Sequence, residues 1–415
     1  MLCEAKHLLS RLSRDFATRN SVTFELAAFC YSELLMLPLI LAYVFALLAV
    51  SGAAYHLLSL AGAVRFLTSP QSAPGSFTPP VSILKPLRGR DRDMYEGFRS
   101  HCLQDYPEFE IVFGVSDPND DAVADVERLK REFPNHNIRL VICPDVLGAN
   151  GKVSNLAQML AHARYNHILI NDSDIRVEHD YLSRIMAHFA DPKVGMVTAL
   201  YRAHAGGTLS SRLEAVTIGT DFAGGVLSAL VLERGIHFAL GSTLAIRRDV
   251  LQQIGGLEPL VNHLADDYEL GLRTSRAGYR VQLSRVIVDT YLPDYTFGAM
   301  FAHQLRWART VRDMRKAGYA GVLLTFGLPW AIISAAFASF SPWSIALLTA
   351  VAITRFTAGA TLCGPVLRDY RTLRDIWLIP VRDFLGIAIW IWSFAADTVT
   401  WRGEVFHLKD GKLYR

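Results

Sequence analysis

No Cys-x-x-Cys pair occurs among the five cysteines (Cys3, Cys30, Cys102, Cys143, Cys363), so neither a zinc ribbon nor a disulfide framework is encoded, and reduced thiols are the simplest state. Charge is scarce and balanced: Asp, Glu, Lys and Arg make up 20% of 415 residues, and 42 basic against 39 acidic side chains leave +3. That balance excludes a partner held by a basic field, nucleic acid above all. No G-x-G-x-x-G follows the first apolar run and there is no P-loop, which counts against a dinucleotide oxidoreductase and a P-loop NTPase. Repeats and low-complexity tracts are also missing. With 29 Gly and 17 Pro, collagen-like and disordered chains are excluded.

What the chain has is apolar side chains, 51% of the total, with a mean hydropathy of +0.23. Residues 34–64 contain no Asp, Glu, Lys or Arg. The run exceeds the roughly 20 residues that cross a bilayer and starts too far in for a cleaved signal peptide. It predicts a transmembrane anchor over 34–67 after an N-terminal tail over 1–33. A second apolar zone, 319–367, is broken by Arg355 and the turn-like Ser341-Pro342 and predicts a two-helix hairpin. A third, 376–401, holds Pro380, Arg382, Asp383 and Asp397 and either spans as a shorter helix or lies in the interface. A C-terminal membrane region of two or three helices over 318–401 is expected, then a tail over 402–415. The basic flank Arg306, Arg309, Arg312, Arg315 and Lys316 puts the middle domain on the cytoplasmic side by the positive-inside rule. Three later spans would carry Arg402, Lys409, Lys412 and Arg415 across, against the same rule.

Between the apolar zones, residues 68–295 alternate short β-rich runs (81–84, 110–115, 138–143, 167–170) with helical patterns (92–103, 121–132, 154–163, 180–189). That alternation predicts an α/β domain with a doubly wound, mostly parallel sheet. Ligands of such sheets lie beyond the carboxyl ends of the strands, where Asp117 and Asp172-Ser173-Asp174 stand. Asp-x-Asp suits a hard divalent cation that also binds phosphate oxygens, although alone it is as readily a solvated turn. Asp267 opens a helical stretch ending at Gly278 and is a candidate general base; capping that helix is the plainer role. On an amphipathic helix over 296–317, His303, Arg306 and Trp307 share one face. Arginine suits a diphosphate and tryptophan an interfacial cleft; a membrane-flanking basic helix would carry the same residues. Lys85 and Lys152 are weaker candidates for nucleotide contacts.

Asp117, Asp172 and Asp267 in that order, then His303-x-x-Arg306-Trp307, with membrane segments on both sides, resemble the ceramide glucosyltransferase family of inverting, nucleotide-sugar-dependent transferases. Local matches include Val81-Ser82-Ile83-Leu84-Lys85-Pro86-Leu87, Asp105-Tyr106-Pro107 and Gly151-Lys152-Val153-Ser154-Asn155-Leu156. The resemblance implies a GT-A fold in which Asp117 contacts the nucleotide. It implies that Asp172 and Asp174 handle Mg2+ or Mn2+ on the UDP diphosphate, that Asp267 is the base, and that Arg306 and Trp307 steady diphosphate and acceptor. His303 stands where many members of the wider superfamily have Gln or Arg. Bacterial hopanoid-associated glycosyltransferases are similar too. The implied activity is transfer of one sugar, from UDP-glucose or UDP-N-acetylglucosamine, to a hydroxyl of ceramide or a hopanoid by an integral protein of a bacterial inner membrane. A processive polysaccharide synthase shares this chemistry but needs more spans; a nucleotide-binding transporter or scaffold would use Arg355 and Arg382-Asp383.

Overall fold

The computed structural model describes residues 21–401 and 403–414; most of the expected tail over 1–33, together with Arg402 and Arg415, lies outside them. The expected anchor falls on helix α1, Ser21–Thr68, of which Met36–Thr68 is long and apolar enough to cross a membrane. The α/β domain follows, as a seven-stranded sheet of order β3-β2-β1-β4-β6-β5-β7. Its strands are β1 Val81–Pro86, β2 Phe109–Val115, β3 Asn137–Ile142, β4 His167–Ile170, β5 Val194–His204, β6 Leu244–Arg247 and β7 Arg280–Tyr291. Strands β1 to β4 are parallel, as are β5 and β7; β6 runs antiparallel to both neighbours. Every residue of β1 is buried, as expected for a strand covered on both faces, Ser82 and Lys85 among its apolar residues included.

The helices that position the site are α2 Gly151–Leu160, α3 Leu209–Leu232 with a π-turn at Thr217–Phe222, α4 Asp266–Arg276 and α5 Phe297–Met314. Asn150 caps α2 by accepting from the Val153 amide at 3.1 Å, and Thr296 caps α5 through the Ala299 amide at 3.2 Å. Then come α6 Gly327–Phe337, α7 Pro342–Val366 and α8 Ile376–Ser393. Among the described residues four helices are long and apolar enough to cross a membrane, five if the bent pair Lys316–Thr325 and Gly327–Phe337 is one span.

One face of the sheet is packed by its own helices, with Ile83, Phe98, Phe113, Leu129 and Tyr181. The other is completed by the long apolar helices: Leu84, Leu156 and Ile170 share a cluster with Ala63 and Phe66 of α1, Leu227 of α3 and Leu362 of α7. Gly62 permits this approach, because a Cβ there would lie 2.2 Å from the Leu227 carbonyl oxygen. Helix α1 is thus part of the domain's core. Helix α3 is the element absent from the expected plan, which gave 68–295 no span. Its charges, Arg212, Glu214 and Asp221, break the apolar pattern, and each meets a distant partner: Asp375, His303 with Gln304, and Arg355 with Arg382.

The C-terminal region leaves the α/β domain and returns. Ser334 of α6 donates to the Ala42 carbonyl at 2.8 Å and Trp343 stacks on Tyr43 at 5.2 Å, so the 338–341 turn lies beside the far half of α1. Helix α7 comes back to pack Leu362 against Gly224. The boundary expected at 401 moves, since α8 ends at Ser393 and the last residues form a three-stranded sheet, β8 Thr398–Trp401, β9 Glu404–Lys409 and β10 Lys412–Tyr414. Leu413 donates to the Asn262 carbonyl at 2.7 Å, which ties this sheet to the α/β domain. An excursion and return over α6 and α7 would leave the basic tail on the side of the α/β domain. A protease-cleavable C-terminal tag is expected to be cut in the same vesicle orientation that exposes the α/β domain, and cleavage only in the opposite orientation refutes the hairpin.

Candidate active site

Because β6 is antiparallel to β4, its leading residues meet the carboxyl end of β4, pairing Leu244 with Ile170. Asn171 fastens the junction by donating to the Ser242 carbonyl at 2.6 Å. Gly241 then sits between two acids, where a Cβ would lie 3.2 Å from Asp172 Oδ2 and 3.3 Å from Asp267 Oδ2. The Gly241 amide donates to Asp267 Oδ2 and the Tyr268 amide to Asp267 Oδ1, both at 2.8 Å. Two separate backbone segments therefore aim this carboxylate into the cleft.

The cleft is a cavity of about 1650 Å³ lined by Asp117, Lys152, Asp172, Asp174, Asp267, His303, Arg306 and Trp307. Strand ends, α4 and α5 thus converge on one space and bring together eight side chains separated by up to 190 positions in the chain. Lys85 is placed differently from its assigned nucleotide contact. It is fully buried beneath the floor, donating to the Asp172 carbonyl at 3.1 Å, and burial pulls its ammonium down to about 7 against the opposing charges of Asp174 and Asp172. Lys152 holds Asp172 Oδ1 at 2.8 Å and Asp266 Oδ2 at 3.2 Å. Burial alone would lower it, but the charges of Asp172 and Asp266 outweigh that and raise its pKa. Asp117 is exposed and accepts from the Asn119 amide at 2.8 Å in a turn.

Two carboxyls are held above the usual range. Burial, then the charge of Asp172, pushes Asp174 up to about 6, although Thr290 donates to it. Burial, then the charge of Asp266, pushes Asp267 up to about 6, with Lys152 opposing. Asp172 and Asp174 fit a hard divalent cation, which would relieve their mutual repulsion. Among the described residues no cluster of three His, Cys, Asp or Glu side chains could hold an ion, so the other ligands would be diphosphate and water oxygens.

Helix α5 is fixed by a residue absent from the expected site. Glu214, fully buried on α3, accepts from His303 Nδ1 at 3.0 Å and Gln304 Nε2 at 2.7 Å. His303 in turn lies between Tyr295 and Trp307, with ring centroids 5.8 and 5.0 Å away. A carboxylate inside an apolar run was the available signal for Glu214. Glu214→Ala leaves the Gln304 amide short of an acceptor in a buried place, at about 2–4 kcal/mol. A lower thermal midpoint and roughly tenfold slower turnover, from a loosened Trp307, are expected; an unchanged midpoint refutes the anchoring role.

The model of the family "Glycosyl transferase family 21" matches residues 43–414. The chain belongs to glycosyl transferase family 21. Similar curated proteins include ceramide glucosyltransferase 1 of Caenorhabditis elegans, 25% identical with 89% of this chain and 82% of that protein covered. The ceramide glucosyltransferase of Komagataella phaffii is 37% identical over 108 residues, which are 25% of this chain and 21% of that protein. Among solved structures, the mannosyltransferase PcManGT from Pyrobaculum calidifontis, in complex with GDP-Man and Mn2+, is similar at TM-score 0.49 and 20% identity over 84% of this chain and 99% of that one. Membership makes the chain a glycosyltransferase, with a mixed α/β fold of the GT-A kind and apolar helices of membrane-crossing length.

Proposed function

We propose that this chain moves one sugar from a UDP-sugar to a lipid hydroxyl with inversion. The observation that carries the reading is the reach of the cavity: the space holding Asp172 and Asp267 also borders Tyr55 of the anchor, Phe222 and Val226 of α3 and Arg355 of α7. A lipid lying among the helices would reach the acids without leaving the membrane surface. The names of the family relatives, ceramide glucosyltransferases, support a sphingolipid acceptor and a glucosyl donor; a hopanoid and N-acetylglucosamine are the other pair.

Asp267 takes the proton of the acceptor hydroxyl, whose oxygen bonds to the anomeric carbon while the bond from that carbon to the diphosphate oxygen breaks on the opposite face. One carboxylate serves as base and forms no bond to carbon, unlike the nucleophile of a retaining hydrolase. Asp117 would meet the nucleotide. Asp172 and Asp174 would hold Mg2+ or Mn2+, which offsets charge on the departing diphosphate. Arg306 offers that charge a forked donor, Trp307 an apolar wall for the acceptor, and Lys152 spans Asp172 and the α4 end of the site.

UDP release on adding ceramide or a hopanoid polyol to the full chain in lipid nanodiscs, with mass spectrometry of the product, tests this. One added hexose or N-acetylhexosamine supports it. A polymer points to a polysaccharide synthase, and no release with any lipid points to a nucleotide-binding transporter or scaffold.

A further inference from the structure

At the membrane end of the cavity four charged side chains pair in a row, Arg382–Asp221–Arg355–Asp383. Arg355 donates to Asp383 Oδ2 from Nε at 3.0 Å and to Asp383 Oδ1 from Nη2 at 2.8 Å, and the same Nη2 donates to Asp221 Oδ1 at 2.8 Å. Arg382 Nη2 lies 2.7 Å from Asp221 Oδ2. Arg355, Arg382 and Asp383 are 1%, 7% and 2% exposed, yet all of them border the cavity, as do Asp221 and His56. The pairing is incomplete. Arg355 Nη1, Arg382 Nε, Arg382 Nη1, His56 Nε2 and Asp221 Oδ2 are buried without a hydrogen-bond partner. Buried donors are ordinarily satisfied, and polar groups inside a membrane mark substrate paths.

We propose that Asp221, Arg355, Arg382 and Asp383, with His56, form a second polar subsite for the acceptor lipid, which takes a neutral oxygen acceptor, an amide carbonyl or a second hydroxyl of the same headgroup. The spare groups on the two arginines can only donate, so the ligand must accept. Two arginines and two aspartates already balance. A phosphate would bring an uncompensated charge into an apolar setting, whereas a carbonyl or hydroxyl would not. Phe222 of α3, beside Asp221, packs on Trp307 with ring centroids 6.1 Å apart, so the subsite adjoins the α5 end of the reaction site. The cluster thereby grips the lipid by a group that does not react, leaving the reacting hydroxyl to Asp267.

This subsite rests on the lipid-acceptor reading, and the experiment separates the two. The full chain in nanodiscs is assayed with ceramide and UDP-glucose, as wild type, Arg382→Gln and Arg382→Lys. The lysine variant keeps a charge for Asp221 but loses the guanidinium fork. Both variants should raise the KM for ceramide about tenfold or more, the loss of one charged hydrogen bond, with a smaller effect on the KM for UDP-glucose. The thermal midpoint of the lysine variant should stay near wild type. An unchanged ceramide KM in both variants overturns the subsite, as does a loss confined to kcat or to the thermal midpoint, which assigns the cluster to helix packing. A wild-type chain that transfers neither glucose to ceramide nor N-acetylglucosamine to a hopanoid polyol overturns the lipid-acceptor reading and the subsite with it.

Discussion

Asp267→Asn lowers the transfer rate by about a thousandfold or more and leaves the affinity for the UDP-sugar within about twofold. The amide keeps the shape of the carboxyl but cannot take a proton. It can still accept from one of the two amides, Gly241 and Tyr268, that position Asp267. Because burial and the charge of Asp266 hold the Asp267 carboxyl up to about 6, the wild-type rate should fall as pH drops through about 6, where the base becomes protonated. The sign of the stability effect is opposite to that of a damaged core. A carboxyl raised above its unfolded value is disfavoured as an anion in the folded chain, and stability is lost as pH rises through the folded pKa. At pH 7.5 the asparagine variant should therefore melt no lower than wild type. Near-normal turnover in Asp267→Asn refutes its role as base; lost turnover with a lowered midpoint and weakened UDP-sugar binding makes it a structural residue.

The first half of the sheet was legible in the sequence. Strands β1, β2 and β4 are short, mostly apolar runs because both faces are covered, and turns punctuate them, so their expected bounds fall within two residues of those found. The second half was not. Strand β6 is four residues long and reversed, and nothing in its sequence announces a change of direction. Helix α3 hid for a different reason: Arg212, Glu214 and Asp221 read as surface charge until their partners, 89 to 163 positions away, are in view. The site shows the same division. Acids at strand exits are visible because topology alone predicts where ligands lie, so Asp117, Asp172 and Asp174 could be named from order and spacing. Lys85 sits one turn of reasoning too deep, since a lysine is ordinarily solvated and only the sheet register places this one under Asp172. Glu214 and Gly241 act by touching residues far along the chain, and periodicity carries no record of that.

Asp172→Ala should have the second-largest effect, and on binding as well as on rate. Asp172 is the point at which three parts of the site meet: its main-chain carbonyl receives Lys85, its Oδ1 receives Lys152, and its Oδ2 faces Gly241 beside Asp267. With the side chain gone, a divalent cation keeps only Asp174 among the proposed protein ligands, and a single carboxylate with diphosphate oxygens is a poor hold for Mg2+ or Mn2+. Calorimetry in Mn2+ should show UDP binding weakened about a hundredfold, to the affinity measured in a chelator. Turnover should fall by about a thousandfold or more. The variant also removes one cause of the raised pKa of Asp267, so any residual activity should have its acid limb at lower pH than wild type. Equal UDP affinity with and without metal in the wild type, unchanged in Asp172→Ala, removes the metal from the reading and leaves Lys152 and Arg306 as the groups that meet the diphosphate.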